Sequence, residues 1–253
     1  MKKTAKLLGI AAIILLILFS MAACDTSLGN EPIVPASPYL GDKMVFTGSQ
    51  VYERNQTSYK LSTMHTPYTG ADLTVKARIF SAHGYYWEVI GDDGKINNGK
   101  FSITVPELTS TQLLVGDRLV GIFVDWNTPP GAIKIMSETN DDLGAEEIGN
   151  TVQLAVAPGY DAMLMREGFS GTRTSMSGEV IYYIYVKEDC KIIADEKVIP
   201  SVDYTYAAFT LVLKKGWNAV CMKETYTVYG NSTYSAELKN PDLEWTLLQI
   251  PSL

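Results

Sequence analysis

Val180-Ile181-Tyr182-Tyr183-Ile184-Tyr185-Val186 reads as a β-strand without a wet face. On a two-residue period, Val180, Tyr182, Ile184 and Val186 fall on one side and Ile181, Tyr183 and Tyr185 on the other. Branched and aromatic side chains suit a pleated surface. With both sides apolar, both need cover, which predicts an interior strand.

The neighbouring sequence supplies strands to cover it. Leu73, Val75, Ala77 and Ile79 alternate with Thr74, Lys76 and Arg78, the pattern of a strand with one buried and one solvated face. Phe101, Ile103 and Val105 alternate with Ser102 and Thr104, just after Asn98-Gly99, a pair that tolerates the positive φ of a two-residue hairpin. Phe209, Leu211 and Leu213 lead into Lys214-Lys215-Gly216, and Trp217, Ala219 and Cys221 lead out, which predicts a second hairpin with glycine at its turn. Glu244 to Ile250 predicts the last strand. No helical repeat stands out from Met44 onward. The fold class expected is all-β, an antiparallel β-sandwich.

From Ile135 to Met165 there is no Lys or Arg, while Glu138, Asp141, Asp142, Glu146, Glu147 and Asp161 are all acidic. This stretch predicts a linker over residues 138–150 between two β-sandwich lobes, 44–137 and 151–253. A single continuous sandwich is the alternative.

Composition bounds the function. Of the 253 residues, 46% are apolar and 19% charged, so the chain can build a core. The formal net charge is −7. An acidic chain with no basic stripe repels phosphate backbones, which argues against nucleic-acid binding.

The first 23 residues have the layout of a secretory signal peptide. Lys2, Lys3 and Lys6 precede an apolar run from Leu7 to Phe19, and Ser20-Met21-Ala22-Ala23 leads to Cys24. The apolar run is shorter than the ~20 residues a spanning helix needs. Removal of this segment leaves 18 basic residues against 28 acidic. Asp25 to Lys43, with Pro32, Pro35 and Pro38, predicts an extended tether over residues 24–43.

Met21-Ala22-Ala23-Cys24 resembles a bacterial lipobox. The resemblance implies cleavage before Cys24 and lipid on its thiol and amine, hence a membrane as partner and the cell envelope as location. Met21 stands where that pattern usually has Leu. Two shorter resemblances follow. Asn98 to Pro106 is similar to the hairpin of transthyretin-like and carboxypeptidase-regulatory-like sandwiches. Leu211 to Val220 resembles the Lys-Gly-Trp-Asn hairpin of uncharacterised, spirochaete-type envelope lipoproteins, which also carry an earlier Tyr-rich strand and a later Trp-containing end, as at Leu243 to Leu248. That family implies no known activity.

Catalytic signatures are not legible, and no cofactor or metal is expected. His65 and His83 lack the spacing of a zinc site. Gly168-Phe169-Ser170-Gly171 lacks the glycine pattern of a nucleophile elbow. Gly91-Asp92-Asp93-Gly94 and Asn140-Asp141-Asp142 lack the alternating ligands of a calcium loop and read as solvated turns. The aromatics offer more: Tyr85-Tyr86-Trp87, Trp126, and Tyr226 with Tyr229 and Tyr234 present flat rings suited to sugar stacking, with Trp87 and Trp126 the leading candidates, although strands also pack such rings in cores. Cys190 and Cys221 form an even pair that permits a disulfide; two buried free thiols are the expectation. The functional expectation is therefore a lipid-anchored envelope module that binds protein or glycan. An envelope glycan hydrolase with a scattered carboxylate pair is the alternative.

Overall fold

The computed structural model describes residues 37–55, 64–81, 86–121, 133–157, 162–171, 175–199, 203–227 and 232–249. In chain order the strands are β1 (Tyr39–Gly41), β2 (Met44–Gly48), β3 (Val51–Asn55), β4 (Met64–Pro67), β5 (Leu73–Phe80), β6 (Trp87–Asn97), β7 (Lys100–Val105), β8 (Leu114–Val115), β9 (Ile133–Met136) and β10 (Glu147–Ala157). They continue with β11 (Ala162–Gly171), β12 (Ser175–Val186), β13 (Cys190–Ala194), β14 (Lys197–Ile199), β15 (Tyr204–Tyr206), β16 (Phe209–Leu213), β17 (Gly216–Thr227), β18 (Ser232–Leu238) and β19 (Glu244–Gln249). The only α-helix among the described residues is the short Gly116–Val120. The protein is an all-β sandwich.

The large sheet runs β14-β15-β18-β17-β12-β11-β10-β5-β6-β7-β2. β19 adds to β11 and carries β3 and then β4, while β1 pairs with β17. Pairing is antiparallel except at β15–β18 and β19–β3. A second sheet, β16-β13-β9, has three strands.

The Tyr-rich strand is interior, as its composition requires. β12 pairs along its whole length with β17, from Ser175↔Thr227 to Val186↔Gly216. Its other edge meets β11 and then β10. Ile181, Tyr183 and Tyr185 join Trp217 and Ala219 in a core with Phe46, Val75, Ile79, Ile103 and Trp245. Ile184 and Val186, with Val220, pack on the opposite side against Ile135, Ile192, Leu211 and Leu213 of the small sheet. Two buried rings have their polar tips satisfied: Trp217 Nε1 donates to Pro106 O at 3.0 Å, and the Tyr185 hydroxyl to Glu107 Oε1 at 3.1 Å.

The hairpin at Asn98-Gly99 forms as expected. Both residues have positive φ, 49° and 75°, and β7 buries Phe101, Ile103 and Val105 while Ser102 and Thr104 face out.

Three expectations need correction. First, the strands on either side of Lys214-Lys215-Gly216 do not pair as a hairpin. β16 lies beside β13 in the small sheet, whereas β17 lies between β12 and β18 in the large one. The connection is a corner between sheets. Asn218 holds it, with its Oδ1 accepting from Lys214 N at 3.0 Å and its Nδ2 donating to Lys214 O at 2.8 Å and Gly216 O at 2.9 Å. Second, residues 138–150 do not divide two lobes. β10 begins at Glu147 and pairs with β5 on one side and with β11 and β12 on the other. Residues Pro35–Leu253 form one compact unit. Third, Gly91 to Gly94 is a bulge within β6: Val75 pairs with Gly94 but Ala77 with Ile90, and Lys76 reaches Asp93 Oδ1 at 2.7 Å across it.

The tether expected through Lys43 gives way to sheet sooner. Ala219 N donates to Pro38 O at 2.7 Å, and Tyr39 lies opposite Asn218. The signal segment and Cys24 lie outside the described residues.

Candidate functional site

Three places combine exposure or concavity with polar chemistry. The first is the solvent face of β5 and β6. Phe80 lies opposite Trp87, their rings edge-on with centroids 5.5 Å apart. Arg78, two residues before Phe80 on the same face, sets its guanidinium carbon 4.7 Å from the centroid of the Trp87 ring. The Arg78 Nη2 donates to Gln153 Oε1 at 3.3 Å on β10. Trp87 remains 39% exposed, with Tyr86 and Val89 exposed beside it. A cation this close to an indole is attracted by the ring quadrupole, and the contact fixes the ring. The result is an aromatic platform with amide and guanidinium groups next to it.

Of the two leading aromatic candidates, Trp87 is in this platform, while Trp126, with Tyr85, Tyr229 and His83, lies outside the described residues. Tyr226 and Tyr234 do not join Trp87. The Tyr234 ring stacks on Tyr206 at 5.1 Å and meets Tyr204 edge-on at 5.5 Å. Its hydroxyl donates to Glu224 Oε1 at 2.7 Å. Burial and that carboxylate push its pKa up.

The second place is a groove of about 510 Å³ alongside β2. Its lining includes Val45, Phe46 and Thr47 of β2, then Tyr183, Arg166 and Trp245. Asp242 and Glu244 line it as well, with Lys43. Trp245 meets Phe46 edge-on at 5.4 Å and donates from Nε1 to Thr47 O at 3.2 Å. Arg166 is tied down: it donates to Asn240 Oδ1 at 2.9 Å, Pro241 O at 2.8 Å, Leu243 O at 3.3 Å and Asp242 Oδ1 at 3.3 Å. Burial raises the Tyr183 hydroxyl pKa to about 12, against the lowering effect of Arg166.

The third place adjoins the groove. Glu167 of β11 is buried at 1% exposure and lies opposite Glu244 of β19. Arg54 of β3 donates from Nη1 to Glu167 Oε2 at 3.2 Å. His65 of β4 stands between the two carboxylates, Nδ1 2.8 Å from Glu244 Oε2 and Nε2 3.7 Å from Glu167 Oε1. Burial raises the Glu167 pKa, and Arg54, His65 and Thr246 each pull it back. Only Glu244 of this carboxylate pair lines the groove. No spacing in the chain marks this cluster, because its members come from four strands.

Glu179, Cys221 and Glu237 bring potential metal-ligand atoms together. Lys239 already serves both carboxylates, with Nζ 3.8 Å from Glu179 and 3.3 Å from Glu237. The Cys221 thiol is raised to about 11, chiefly by burial. Cys190 and Cys221 are both buried and free, as expected.

Comparison with family models, with curated proteins and with solved structures finds no match for this chain.

Proposed function

We propose that this chain is a lipid-anchored lipoprotein of the bacterial cell envelope, held by lipid on Cys24, and that its sandwich is a binding module that takes glycan on the Trp87 face. The anchor reading rests on the Lys2–Lys6 start, the Leu7–Phe19 apolar run and the Ala22-Ala23-Cys24 exit. The binding reading rests on one observation: an indole left 39% exposed is pinned from behind by Arg78 and Phe80. A ring fixed before the ligand arrives loses little freedom on binding. A pyranose stacks its axial C–H face on such a ring, and Gln153, held by Arg78, lies on the neighbouring strand.

Calorimetric titration with soluble peptidoglycan fragments tests the binding reading. Binding by the parent and its loss in Trp87→Ala, with an unchanged circular dichroism spectrum, supports it; equal heats from both proteins refute it. Growth with an alkyne-bearing fatty acid tests the anchor. Label on the parent and none on Cys24→Ser supports it, and an unlabelled parent refutes it.

A further inference from the structure

The sheet protects most of its edges. β14 at one end of the path has three residues and carries Lys197. The outer edge of β4 ends in Pro67. On β16, the Val212 carbonyl accepts from the Tyr39 hydroxyl at 3.2 Å. These are the usual devices that stop one sheet from adding to another.

β2 has none of them. Its sequence, Met-Val-Phe-Thr-Gly, holds neither a charge nor a proline, and it pairs with β7 alone among the described residues. In an antiparallel ladder the N–H and C=O of one residue point to the same edge, and the next residue points to the other. Lys100 pairs with Asn97 across the two-residue turn, so Lys100, Ser102 and Thr104 turn their main-chain groups to β6, while Phe101, Ile103 and Val105 turn theirs to β2, opposite Gly48, Phe46 and Met44. Thr47 and Val45 therefore direct their main-chain groups to the edge opposite β7. That edge opens on the groove, whose lining includes both residues.

We propose that the β2 edge is a docking site for an extended peptide, which adds as a further strand along Val45 to Thr47. The Val45 N–H and C=O and the Thr47 N–H would form the ladder, while the Trp245 indole keeps Thr47 O. An added strand presents alternate side chains to the groove, where Phe46, Tyr183 and Trp245 form an aromatic wall suited to an apolar residue. Charge selects the rest of the partner. Arg166 is tied to Asp242 and to the Asn240–Leu243 segment, and Glu244 and Lys43 complete the charged lining, so the direction of selection comes from the chain as a whole. With a net charge of −7, the chain steers basic segments toward itself. The partner is therefore a peptide that alternates apolar residues with lysine or arginine. This site is separate from the Trp87 face, and neither proposal depends on the other.

The probe is the synthetic peptide acetyl-Lys-Val-Lys-Val-Lys-Val-amide, titrated into the 15N-labelled folded part of the chain and followed by NMR. Saturable shifts centred on the Val45 and Thr47 amides are the expected result. A second peptide of the same sequence, N-methylated at alternate residues, keeps charge and side chains but loses the ladder donors, and should bind at least about tenfold more weakly. Val45→Pro removes the edge N–H at a position an edge strand tolerates. It should melt with the parent and lose peptide binding to the same degree. Absence of shifts with peptide up to about 1 mM, the weak limit of a specific contact, overturns the proposal. Equal affinity for the N-methylated peptide overturns it as well, since attraction would then be charge alone. So do shifts that follow protein concentration without peptide, because the edge would then be pairing with a second copy.

Discussion

Glu167 and Glu244 are cross-strand partners on β11 and β19, and His65 bridges the space between their carboxylates at 3.7 Å and 2.8 Å. Like charges directly opposite on a sheet normally repel. Here the partners come from a different part of the fold, the β3–β4 hairpin, which supplies both the Arg54 guanidinium and the His65 ring. That hairpin touches the main sheet through a short parallel pairing, Trp245↔Val51 to Leu247↔Glu53. Charge and main-chain bonds thus dock it together.

Removal of Arg54 should cost more than removal of the charge it serves. Arg54→Met leaves a carboxylate at 1% exposure without its guanidinium, a change that costs about 3 kcal/mol at sites of this kind. Glu167→Gln should cost less. Combined with Arg54→Met, it should recover a large part of the loss. Urea unfolding of the parent, both single variants and the double variant measures the coupling. Strictly additive losses would show that the pair does not interact.

Glu167 also sets the sign of a pH effect. Its pKa is raised in the folded protein, mainly by burial. The folded state therefore holds that proton to higher pH than the unfolded chain does. Its contribution to stability is full below the ordinary carboxylate range and is lost as pH rises through the raised value. Glu167→Gln should flatten this part of the stability curve. Urea midpoints measured from pH 4 to 8 in both proteins check it, and parallel curves would assign the slope to other groups.

At the sheet corner, Gly216 has φ of +94°, and a Cβ built on it would lie 2.6 Å from the Gly41 carbonyl oxygen on β1. Gly216→Val should lose about 1–2 kcal/mol from the backbone conformation alone, and more from the clash. Lys215→Ala should be nearly silent, because the bond from Lys215 N to Asp189 Oδ1 uses the main chain. Thermal melts compare the two. Equal melting temperatures would show that the corner tolerates a side chain.

Cys190 and Cys221 should resist thiol reagents while the protein is folded. Burial lifts their pKa values to about 12 and about 11, so almost no thiolate is present at neutral pH. Alkylation followed by peptide mass spectrometry should find both unmodified in the native protein and both modified after denaturation without reductant. A pair that stays unmodified after denaturation would mean a disulfide.

The elements most legible in the sequence were those fixed by neighbours a few residues away. Asn98-Gly99 makes its hairpin from its own backbone preferences, and the two apolar faces of Val180 to Val186 demand cover whatever the topology. Topology itself was not local. Phe209 to Leu213 and Trp217 to Cys221 look like hairpin arms, yet β17 already has β12 and β18 beside it, so β16 goes to the other sheet. Trp87 could be suspected from its type, but Arg78 behind it could not. The Glu167 cluster was hidden for the same reason. Arg54 and Glu167 are 113 residues apart and His65 and Glu244 are 179 apart, and no spacing rule links such positions.

The placement of β19 bears on the order in which the molecule can be made. It fills the gap between β11 and β3, so among the described residues the β3–β4 hairpin has no strand beside it until β19 exists, only the bond from Val51 N to Gly99 O at 2.7 Å. β1 likewise waits for β17. The N-terminal strands are therefore made well before the strands they pair with. Contacts this distant along the chain also slow the search for the native state.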